Sequence, residues 1–221
     1  MRILAVSDEE SPALWEYYRP GRLDGYDLIL SAGDLKAAYL SFLVTMAHGP
    51  LLYVHGNHDE GYPAHPPEGC DCIDDQLVVY RGLRILGLGG CLQYRPGAPF
   101  QFTERQMARR IARLRLALWR AGGVDILVTH APPMGLGDGE DPAHRGFACF
   151  QTLLDRYHPL CLIHGHVHRR GYPLPDRELV YGDTRIVNAS ERYVLEVPDR
   201  PFAPTKRNDL QWITRHREED C

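Results

Sequence analysis

The sequence has no long hydrophobic run, so no stretch of it approaches the length of a membrane-spanning helix. Its first residues, MRILAVSDEE, are apolar for only a few positions before they become acidic. That run is too short for the apolar region of a secretory signal peptide. We therefore expect a cytoplasmic protein that does not associate with a membrane.

The sequence also has no excess of positive charge. It contains 25 Lys and Arg residues against 29 Asp and Glu residues, which gives a net formal charge of −4. Domains that bind long nucleic acids usually carry a basic surface, so a nuclease acting on DNA or RNA is disfavoured. A small nucleotide stays open as a ligand, because it needs only a local cluster of positive groups.

Internal repeats, low-complexity tracts and a Cys-x-x-Cys knuckle are absent; Cys70 and Cys72 are separated by a single residue.

A chain of 221 residues with 44% hydrophobic content is long enough for one substantial core. We predict one domain over residues 1–199. Residues 200–221 are polar, contain two prolines near their start and are predicted to be a C-terminal extension.

Short apolar runs alternate with helical patterns along most of the chain. Thr103–Ala121 is the clearest helix, with Thr103 as the N-cap and Gly122-Gly123 as the stop. The order of elements predicts an α/β fold in which two facing β-sheets are flanked by helices. The predicted strands are Arg2–Ser7, Asp27–Ser31, Leu51–His55, Gln76–Tyr80, Arg84–Gly89, Asp125–Thr129, Leu160–Ile163, Leu179–Tyr181, Arg185–Asn188 and Tyr193–Val197, and the other helices are Pro12–Arg19, Leu35–His48 and a segment around Phe147–Tyr157.

Polar residues follow five of these strands at the point where each strand ends. In α/β sheets that edge is where ligands bind. Each residue alone has a structural explanation, since an Asp can cap the next helix and a lone His is usually part of the core. Their joint occurrence favours one shared metal site. The residues are Asp8, Asp34, Asn57-His58-Asp59, His130 and the segment His164-Gly165-His166-Val167-His168.

These residues resemble the motifs of the calcineurin-like metallophosphoesterase family. That family carries Asp-x-His, Gly-Asp, Gly-Asn-His-Asp/Glu, a lone His after a later strand, and Gly-His-x-His. The counterparts here run from Asp8 to at least His168, which is most of the chain. Gly-Asn-His-Asp and Gly-His-x-His are specific when they occur together in this order. The matching segments are Asp8-Glu9-Glu10, Gly33-Asp34, Gly56-Asn57-His58-Asp59, His130 and Gly165-His166-Val167-His168.

The resemblance implies a site with two divalent metal ions. Two such ions bind both the attacking and the leaving oxygen of a phosphoryl displacement, and they generate hydroxide from bound water near neutral pH. By the same resemblance, Asp34 bridges the ions. Asp8 and His168 complete one metal site, and Asn57, His130 and His166 complete the other.

The resemblance also implies the residues that transfer protons. His58 is expected to be the general acid that protonates the departing oxygen. Asp59 is expected to hold the imidazole ring of His58 in position.

Two positions depart from the family pattern. Glu10 stands where the family has His, so it either ligates the first metal or points away and leaves that metal weakly held. An oxygen-rich site favours manganese or magnesium over zinc, and we expect manganese, with iron, zinc and magnesium as alternatives. Lys36 stands where a second acid is common, and it either contacts a substrate phosphate, neutralises nearby carboxylates or faces solvent.

The segment after His130 is rich in proline and glycine, which predicts a shaped loop beside the metal site. It is similar to the loop in the branch of the family that includes small cyclic-nucleotide phosphodiesterases. Arg145 on this loop, Arg169 after the last metal-site histidine, and Lys36 are the candidate substrate contacts.

The sequence thus predicts a phosphoesterase that hydrolyses a small phosphodiester or phosphomonoester, the diester being favoured and a nucleotide being one candidate. The alternative is a non-catalytic interaction scaffold with the same fold. Such a scaffold would lack the acid of Gly-Asn-His-Asp, whereas His58 and Asp59 are both present. The oligomeric state is open.

Overall fold

The structure is a computed structural model, and it describes residues 1–168, 176–202 and 209–214. In this part of the chain, two large sheets and one small sheet are accompanied by three α-helices. The strands are β1 Arg2–Ser7, β2 Leu28–Ser31, β3 Leu51–Tyr53, β4 Asp71–Cys72, β5 Leu77–Tyr80, β6 Leu83–Leu88, β7 Cys91–Leu92, β8 Gln101–Phe102, β9 Ile126–Thr129, β10 Cys161–His164, β11 Glu178–Tyr181, β12 Thr184–Asn188, β13 Glu191–Glu196 and β14 Leu210–Trp212; the helices are α1 Ala37–Met46, α2 Glu104–Ala121 and α3 Ala148–Tyr157.

The first sheet has five strands in the order β13-β1-β2-β3-β4, and the second has seven in the order β11-β12-β10-β9-β6-β5-β14. Strands β1, β2 and β3 are parallel neighbours, and so are β9 and β10 in the second sheet. Because the carboxyl ends of parallel strands lie at one edge of a sheet, each sheet presents its loops at such an edge. The site residues follow these five strands.

The two sheets pack face to face over the largest apolar cluster. Ile3, Ala5 and Leu30 face inwards from the first sheet, and Ile126 and Val128 face inwards from the second. A second cluster lies between the seven-stranded sheet and helices α2 and α3. A third lies between the five-stranded sheet and α1. The predicted α/β sandwich of two facing sheets flanked by helices is therefore confirmed.

Helix α2 follows the local rules that its sequence predicts. Thr103 accepts a hydrogen bond from the backbone N–H of Gln106, and the Gln106 side chain accepts one from the N–H of Thr103, which is a capping box. Gly122 ends the helix in the left-handed conformation at φ 73°. Met107, Leu114 and Leu118 face the sheet and are buried.

The predicted helix over Pro12–Arg19 is wrong. Residues 12–17 form consecutive turns, such as the one closed by the hydrogen bond from the N–H of Leu14 to the carbonyl of Ser11. Pro20 disfavours helical geometry at the preceding residue, and the segment is too short to offset the cost of nucleating a helix. Its aromatic residues pack instead, because the Trp15 ring meets the Phe42 ring edge-on at 5.1 Å.

Part of the predicted C-terminal extension pairs with the second sheet. Strand β14 lies antiparallel to β5, with Gln211 opposite Val79. Leu210 and Trp212 pack against the inter-sheet cluster. The division of the chain at residue 199 stays a prediction.

No helix in the part of the chain that the structure describes is long and apolar enough to cross a bilayer.

Candidate metal centre

Three of the predicted metal ligands adopt a backbone conformation that L-residues rarely take. Asp8, Asp34 and His166 have φ values of 62°, 59° and 67°. Each lies within three residues of the end of a parallel strand, where the left-handed geometry bends the chain sharply across the edge of the sheet. Such geometry costs on the order of 1 kcal/mol or more per residue and concentrates at functional sites.

Glycines allow these turns to approach one another closely. A Cβ atom at Gly56 would overlap Oδ1 of Asp34, and one at Gly165 would lie 2.7 Å from Oδ2 of Asp8. Gly33 combines a φ of 91° with direct contact against the backbone of Gly56. The glycines of the sequence motifs therefore have a steric role, since a side chain at Gly56 or Gly165 would meet a carboxylate of the site and one at Gly33 would meet the backbone of Gly56.

Four ligand atoms converge at the place where the two sheets meet. Nε2 of His130 lies 3.1 Å from Oδ1 of Asn57, 3.1 Å from Nδ1 of His166 and 3.4 Å from Oδ2 of Asp34. Asp34 and Asn57 follow strands of the first sheet, whereas His130 and His166 follow strands of the second. Each of the four side chains was predicted from sequence to belong to one site, and the structure brings them together.

Backbone carbonyls set the direction of both imidazole rings. Nδ1 of His130 lies 2.7 Å from the carbonyl oxygen of Ala32, and Nε2 of His166 lies 2.6 Å from the carbonyl oxygen of Ala143. When each of these nitrogens donates its proton, the opposite ring nitrogen directs a lone pair into the site. Two lone pairs facing each other at 3.1 Å repel unless a proton or a cation lies between them.

The acid–base properties of the site reflect the same geometry. Burial lowers the pKa of His130, but the charge of Asp34 and a hydrogen bond to it outweigh that effect and raise the pKa to about 9. Burial and the neighbouring His130 charge lower the pKa of His166 to about 3. Burial alone would raise the pKa of Asp34, but the charge of His130 and the hydrogen bond from the N–H of His58 outweigh that effect. The pKa of Asp34 is therefore lowered. Without a metal, a proton on His130 therefore supplies positive charge to the centre.

Asp8 adds a carboxylate oxygen with no partner. Its Oδ1 accepts a hydrogen bond of 2.8 Å from the backbone N–H of His166. Its Oδ2 is buried and has no hydrogen-bond partner among the described residues. Burial raises the pKa of Asp8 and the Asp34 charge adds to this, although His130 opposes it. An orphaned carboxylate oxygen beside a cluster of nitrogen and oxygen ligands fits a bound divalent cation.

Two other predicted metal ligands lie at the exposed side of the site, and each contacts a charged neighbour. Nδ1 of His168 lies 3.5 Å from a carboxylate oxygen of Glu9. Glu10 lies 3.2 Å from the ammonium of Lys36 and lines the same groove as Asp34. Lys36 thus neutralises Glu10, one of the three roles foreseen for it. Metal ligation by Glu10 and His168 stays a prediction.

The carboxylate of Asp59 holds the loop rather than the His58 ring. Its Oδ2 accepts hydrogen bonds from the backbone N–H groups of Gly56, at 2.7 Å, and Asp34, at 2.9 Å. Burial and the nearby Asp34 charge raise the pKa of Asp59 to about 6, against the lowering effect of these hydrogen bonds. The His58 side chain is exposed, and its backbone N–H donates to Oδ1 of Asp34 at 2.8 Å.

The loop that follows His130 forms one wall of the site. Asp138 accepts hydrogen bonds from the N–H groups of Gly135 and Gly146 and so fixes the two ends of the loop. The His144 ring is held by Asp141, with Nδ1 at 2.8 Å from Oδ2, and lies 5.4 Å from the ring of His166. Arg145 is exposed on this loop. Arg169 lies outside the described residues.

A buried ionisable pair beneath the site was not foreseen from the sequence. Nδ1 of His55 lies 2.7 Å from Oδ2 of Asp74, and the His55 ring stacks on Phe100 at 4.3 Å. Asp74 also accepts a hydrogen bond from the N–H of Gly89, and Arg110 donates to the carbonyl of the same glycine. This network supports the strand that leads directly into Gly56 and Asn57.

The Asn57 amide is oriented by a residue whose role the sequence did not reveal. Nδ2 of Asn57 donates to the hydroxyl of Tyr94 at 3.4 Å, which directs its Oδ1 towards His130. The contacts of Ala32, Ala143 and Tyr94 have no sequence signature, because two are made by backbone carbonyls and the third by an isolated tyrosine in an irregular segment.

The arrangement agrees with the comparison to known protein families, in which the profile of calcineurin-like phosphoesterases matches residues 1–170. The chain belongs to the calcineurin-like phosphoesterase family. The candidate metal ligands at the carboxyl ends of strands from two sheets all lie within the residues that the family profile matches.

Two curated relatives of this chain are the human and mouse proteins named metallophosphoesterase domain-containing protein 1. Each is 32% identical over 147 residues, which is 63% of this chain. The match spans 41% of the length of those relatives. The crystal structure of TT1561 of Thermus thermophilus has the same fold, with a TM-score of 0.57 and 18% identity over 86% of this chain and 89% of that one.

Proposed function

We propose that this phosphoesterase binds two divalent cations and hydrolyses a small phosphate ester, with a phosphodiester favoured over a phosphomonoester. The observation that carries the proposal is the convergence of Nε2 of His130, Nδ1 of His166, Oδ1 of Asn57 and Oδ2 of Asp34 around one point. Manganese is the favoured metal, because the predicted ligands of the first site are mainly oxygen atoms.

When bound, divalent cations polarise phosphate oxygens as Lewis acids and lower the pKa of water. The chain's own residues prepare the site for this. His130 and His166 are locked with one nitrogen each directed inwards, and Asn57 contributes an oxygen without adding negative charge. Asp34 is proposed to contact both cations, and Asp8, His168 and Glu10 to complete the first site.

His58 is proposed to protonate the departing oxygen of the substrate. Its side chain is exposed, and its backbone is anchored to Asp34, so the ring stands beside the metal ligands without being buried among them. Asp59 acts through the backbone, because it fixes the loop that carries His58. Lys36, Arg145 and Arg169 are the proposed contacts to substrate phosphate oxygens.

The groove beside Asp34 supports a small substrate. It has a volume of about 460 Å³, which is in the range of pockets for small organic ligands. Lys36, His58, Tyr62 and His65 line it together with Glu10. A nucleotide or cyclic nucleotide fits a groove of this size. Such a substrate also agrees with the similarity of the loop after His130 to the branch of the family that includes small cyclic-nucleotide phosphodiesterases. A cytoplasmic location stays part of the proposal.

The test is hydrolysis of bis-p-nitrophenyl phosphate and p-nitrophenyl phosphate in the presence of Mn²⁺, with and without a chelator. We expect the diester to be cleaved faster and the chelator to abolish turnover. His58→Ala should lower diester turnover by about 100-fold or more while bound manganese is retained, since general acids typically contribute roughly 10²–10⁴-fold.

His48→Ala is the matched control, because His48 is an exposed histidine whose ion-pair partner is Asp24, a surface residue. It should leave turnover unchanged. Absence of turnover with every divalent metal would contradict the proposal and favour the non-catalytic scaffold. A panel of nucleotides and cyclic nucleotides then identifies the substrate class.

A further inference from the structure

Helix α2 exposes a basic face that the metal site does not use. Six of its residues are arginines, and in the described part of the chain only Arg110 forms ion pairs within 4.0 Å, with Asp75 and Asp74. Arg105, Arg109, Arg115 and Arg120 are exposed. This concentration of positive charge contrasts with the net charge of −4 for the whole chain.

An apolar groove runs along one flank of this face, between α2 and α3. It has a volume of about 290 Å³, and none of the residues that line it is acidic. Ala108, Ala112, Arg115, Leu153 and Arg156 are among the residues that line it. Two arginines therefore stand at a largely apolar groove, and the Arg156 guanidinium lies over the Tyr157 ring at 5.6 Å.

The two helices lie side by side and run in the same direction. Glu104 at the start of α2 accepts hydrogen bonds from the N–H groups of Ala148 and Cys149 at the start of α3. Gly123, just beyond the end of α2, lies beside the ring of Tyr157 at the end of α3. The groove therefore follows the ten residues of α3, which is about 15 Å or nearly three helical turns.

Exposed apolar side chains extend the surface beyond the groove. Trp119 is 76% exposed and Leu116 is 54% exposed, and both lie in the second half of α2. Trp119 is on the same side of the helix as Ala108, Ala112 and Arg115, which are spaced at intervals of three and four residues. Exposed tryptophan and arginine together are typical of residues that dominate binding energy at interfaces.

We propose that the groove between α2 and α3 binds an acidic amphipathic helix of a partner protein. The apolar stripe of such a helix would lie on Ala108, Ala112 and Leu153, where the small alanine side chains allow two helix backbones to approach closely. Its acidic residues would pair with Arg115 and Arg156 at the groove, and with Arg109 beyond it. This is the helix-in-groove mode of recognition, in which charge fixes orientation.

Other occupants fit the surface less well. A flat bilayer would contact the arginines on the outer side of α2 but would not fill a concave groove. A nucleic acid would pair with the arginines and leave the apolar floor facing water. In a two-fold contact between two copies of this chain, the basic faces would oppose each other, which like charges disfavour.

The experiment measures fluorescence anisotropy of a labelled synthetic peptide of about 18 residues, with leucines at positions i, i+4, i+7 and i+11 and glutamates on the flanks. We expect saturable binding to the intact chain. A scrambled peptide of the same composition should bind at least about 10-fold more weakly, because it has no continuous apolar stripe. A peptide with lysines in place of the glutamates should not bind.

Variants of the groove test its positive charge and its apolar surface separately. Arg115→Glu combined with Arg156→Glu should weaken binding of the acidic peptide by about 10-fold or more and create binding of the lysine peptide. Ala112→Trp should block the groove and abolish binding without changing any charge. Arg19→Glu combined with Arg22→Glu changes the net charge equally at exposed positions outside the groove and should leave binding unchanged. Circular dichroism melts establish that each variant is folded.

The same variants test the other occupants. Three measurements are run in parallel with each variant. They are binding to vesicles that contain phosphatidylserine, binding to poly(U) RNA, and sedimentation of the chain alone to detect self-association. The proposal is overturned if the acidic peptide fails to bind at about 1 mM, or if the scrambled peptide binds equally well. It is also overturned if the groove variants change vesicle binding, RNA binding or self-association while they leave peptide binding unchanged. Phosphoester hydrolysis should be unaffected by peptide binding, so failure here leaves the proposed enzymatic function standing.

Discussion

At the scale of single residues, the protonated His130 ring supplies the positive charge that balances the carboxylates of the metal-free centre. Burial opposes protonation of this ring, yet Asp34 raises its pKa from the ordinary value of 6.5 to about 9. In the metal-free protein, the resulting contribution to stability is present below pH 6.5 and is lost as the pH rises through about 9. A cation that uses Nε2 of His130 must displace this proton.

We therefore predict that the apparent affinity for Mn²⁺ rises by up to about 10-fold per pH unit between about pH 7 and about pH 8.5, with release of close to one proton. Calorimetric titrations in two buffers with different heats of ionisation measure the number of protons released. The effect should fade as the pH approaches about 9. An affinity that is independent of pH over this range would contradict the role of His130.

Glu10 is the residue at which the family pattern and this chain differ. Its carboxylate pairs with Lys36 at 3.2 Å, and it lines the groove beside Asp34. We predict that Glu10→His retains manganese and keeps or raises diester turnover, because an imidazole is also a good ligand for the first metal. Metal content and initial rates measure this outcome.

Lys36→Met is the companion variant, since it removes the partner of Glu10 while leaving its carboxylate in place. It should preserve bound metal and affect mainly the KM for substrate. If Glu10→His instead abolishes activity in a folded protein, Glu10 has a role beyond generic ligation.

At the scale of elements, the sequence patterns predicted most strands to within one or two residues. Arg2–Ser7 agrees fully with β1, and the Arg81-Gly82 turn predicted between two strands is present, with positive φ values of 43° and 79° joining β5 to β6. These predictions succeeded because a short, continuously apolar run and the residues of a turn are local properties of the sequence.

The elements that were missed depend on contacts distant in sequence. Strands β4, β7, β8 and β14 have two or three residues each, so no periodic pattern could identify them. In the site, by contrast, the candidate metal ligands could be predicted, because polar residues follow the ends of the predicted strands. The carbonyls of Ala32 and Ala143 that orient the histidines could not, because any residue supplies a carbonyl and only the fold selects which one.

The turn that contains Gly56 gives a prediction at this scale. A Cβ atom there would overlap the Asp34 carboxylate and the backbone of Asp34. We expect Gly56→Ala to displace that carboxylate and weaken metal binding by about 10-fold or more. Overlap in a packed interior typically costs about 1–3 kcal/mol, so the free energy of unfolding should fall by a similar amount.

Gly61→Ala is the matched control, because no heavy atom lies within 4 Å of the position its Cβ would take. It should change the free energy of unfolding by less than about 0.5 kcal/mol. Denaturant unfolding and manganese titration of the two variants check the prediction. Equal effects of the two substitutions would rule out close packing of Gly56 as the reason for its presence.

At the scale of the whole molecule, the centre joins two sheets that otherwise meet through an apolar interface. Asp8, Asp34 and Asn57 come from the first sheet, and His130 and His166 come from the second. The two proposed cations, which would share Asp34, link the sheets only in the folded state. Metal binding should therefore be coupled to the global stability of the protein.

We predict that Mn²⁺ at about 100 times its Kd stabilises the fold by about 2.7 kcal/mol for each cation site that it fills. For a domain of this size, that corresponds to a rise in Tm of about 5–10 °C. Asp34→Asn should remove most of this rise, because the neutral amide replaces the one carboxylate proposed to contact both cations. Calorimetric melts with manganese or with chelator give the shift directly.

Asp24→Asn is the control for this measurement, since Asp24 is an exposed carboxylate whose ion-pair partner is His48. It should show the same manganese-dependent rise as the unaltered chain. If Asp34→Asn also kept the full rise and its full metal content, the bridging role of Asp34 would be excluded. Stabilisation would then have to come from the remaining ligands, such as Asn57, His130 and His166, and the link between the two sheets would not depend on Asp34.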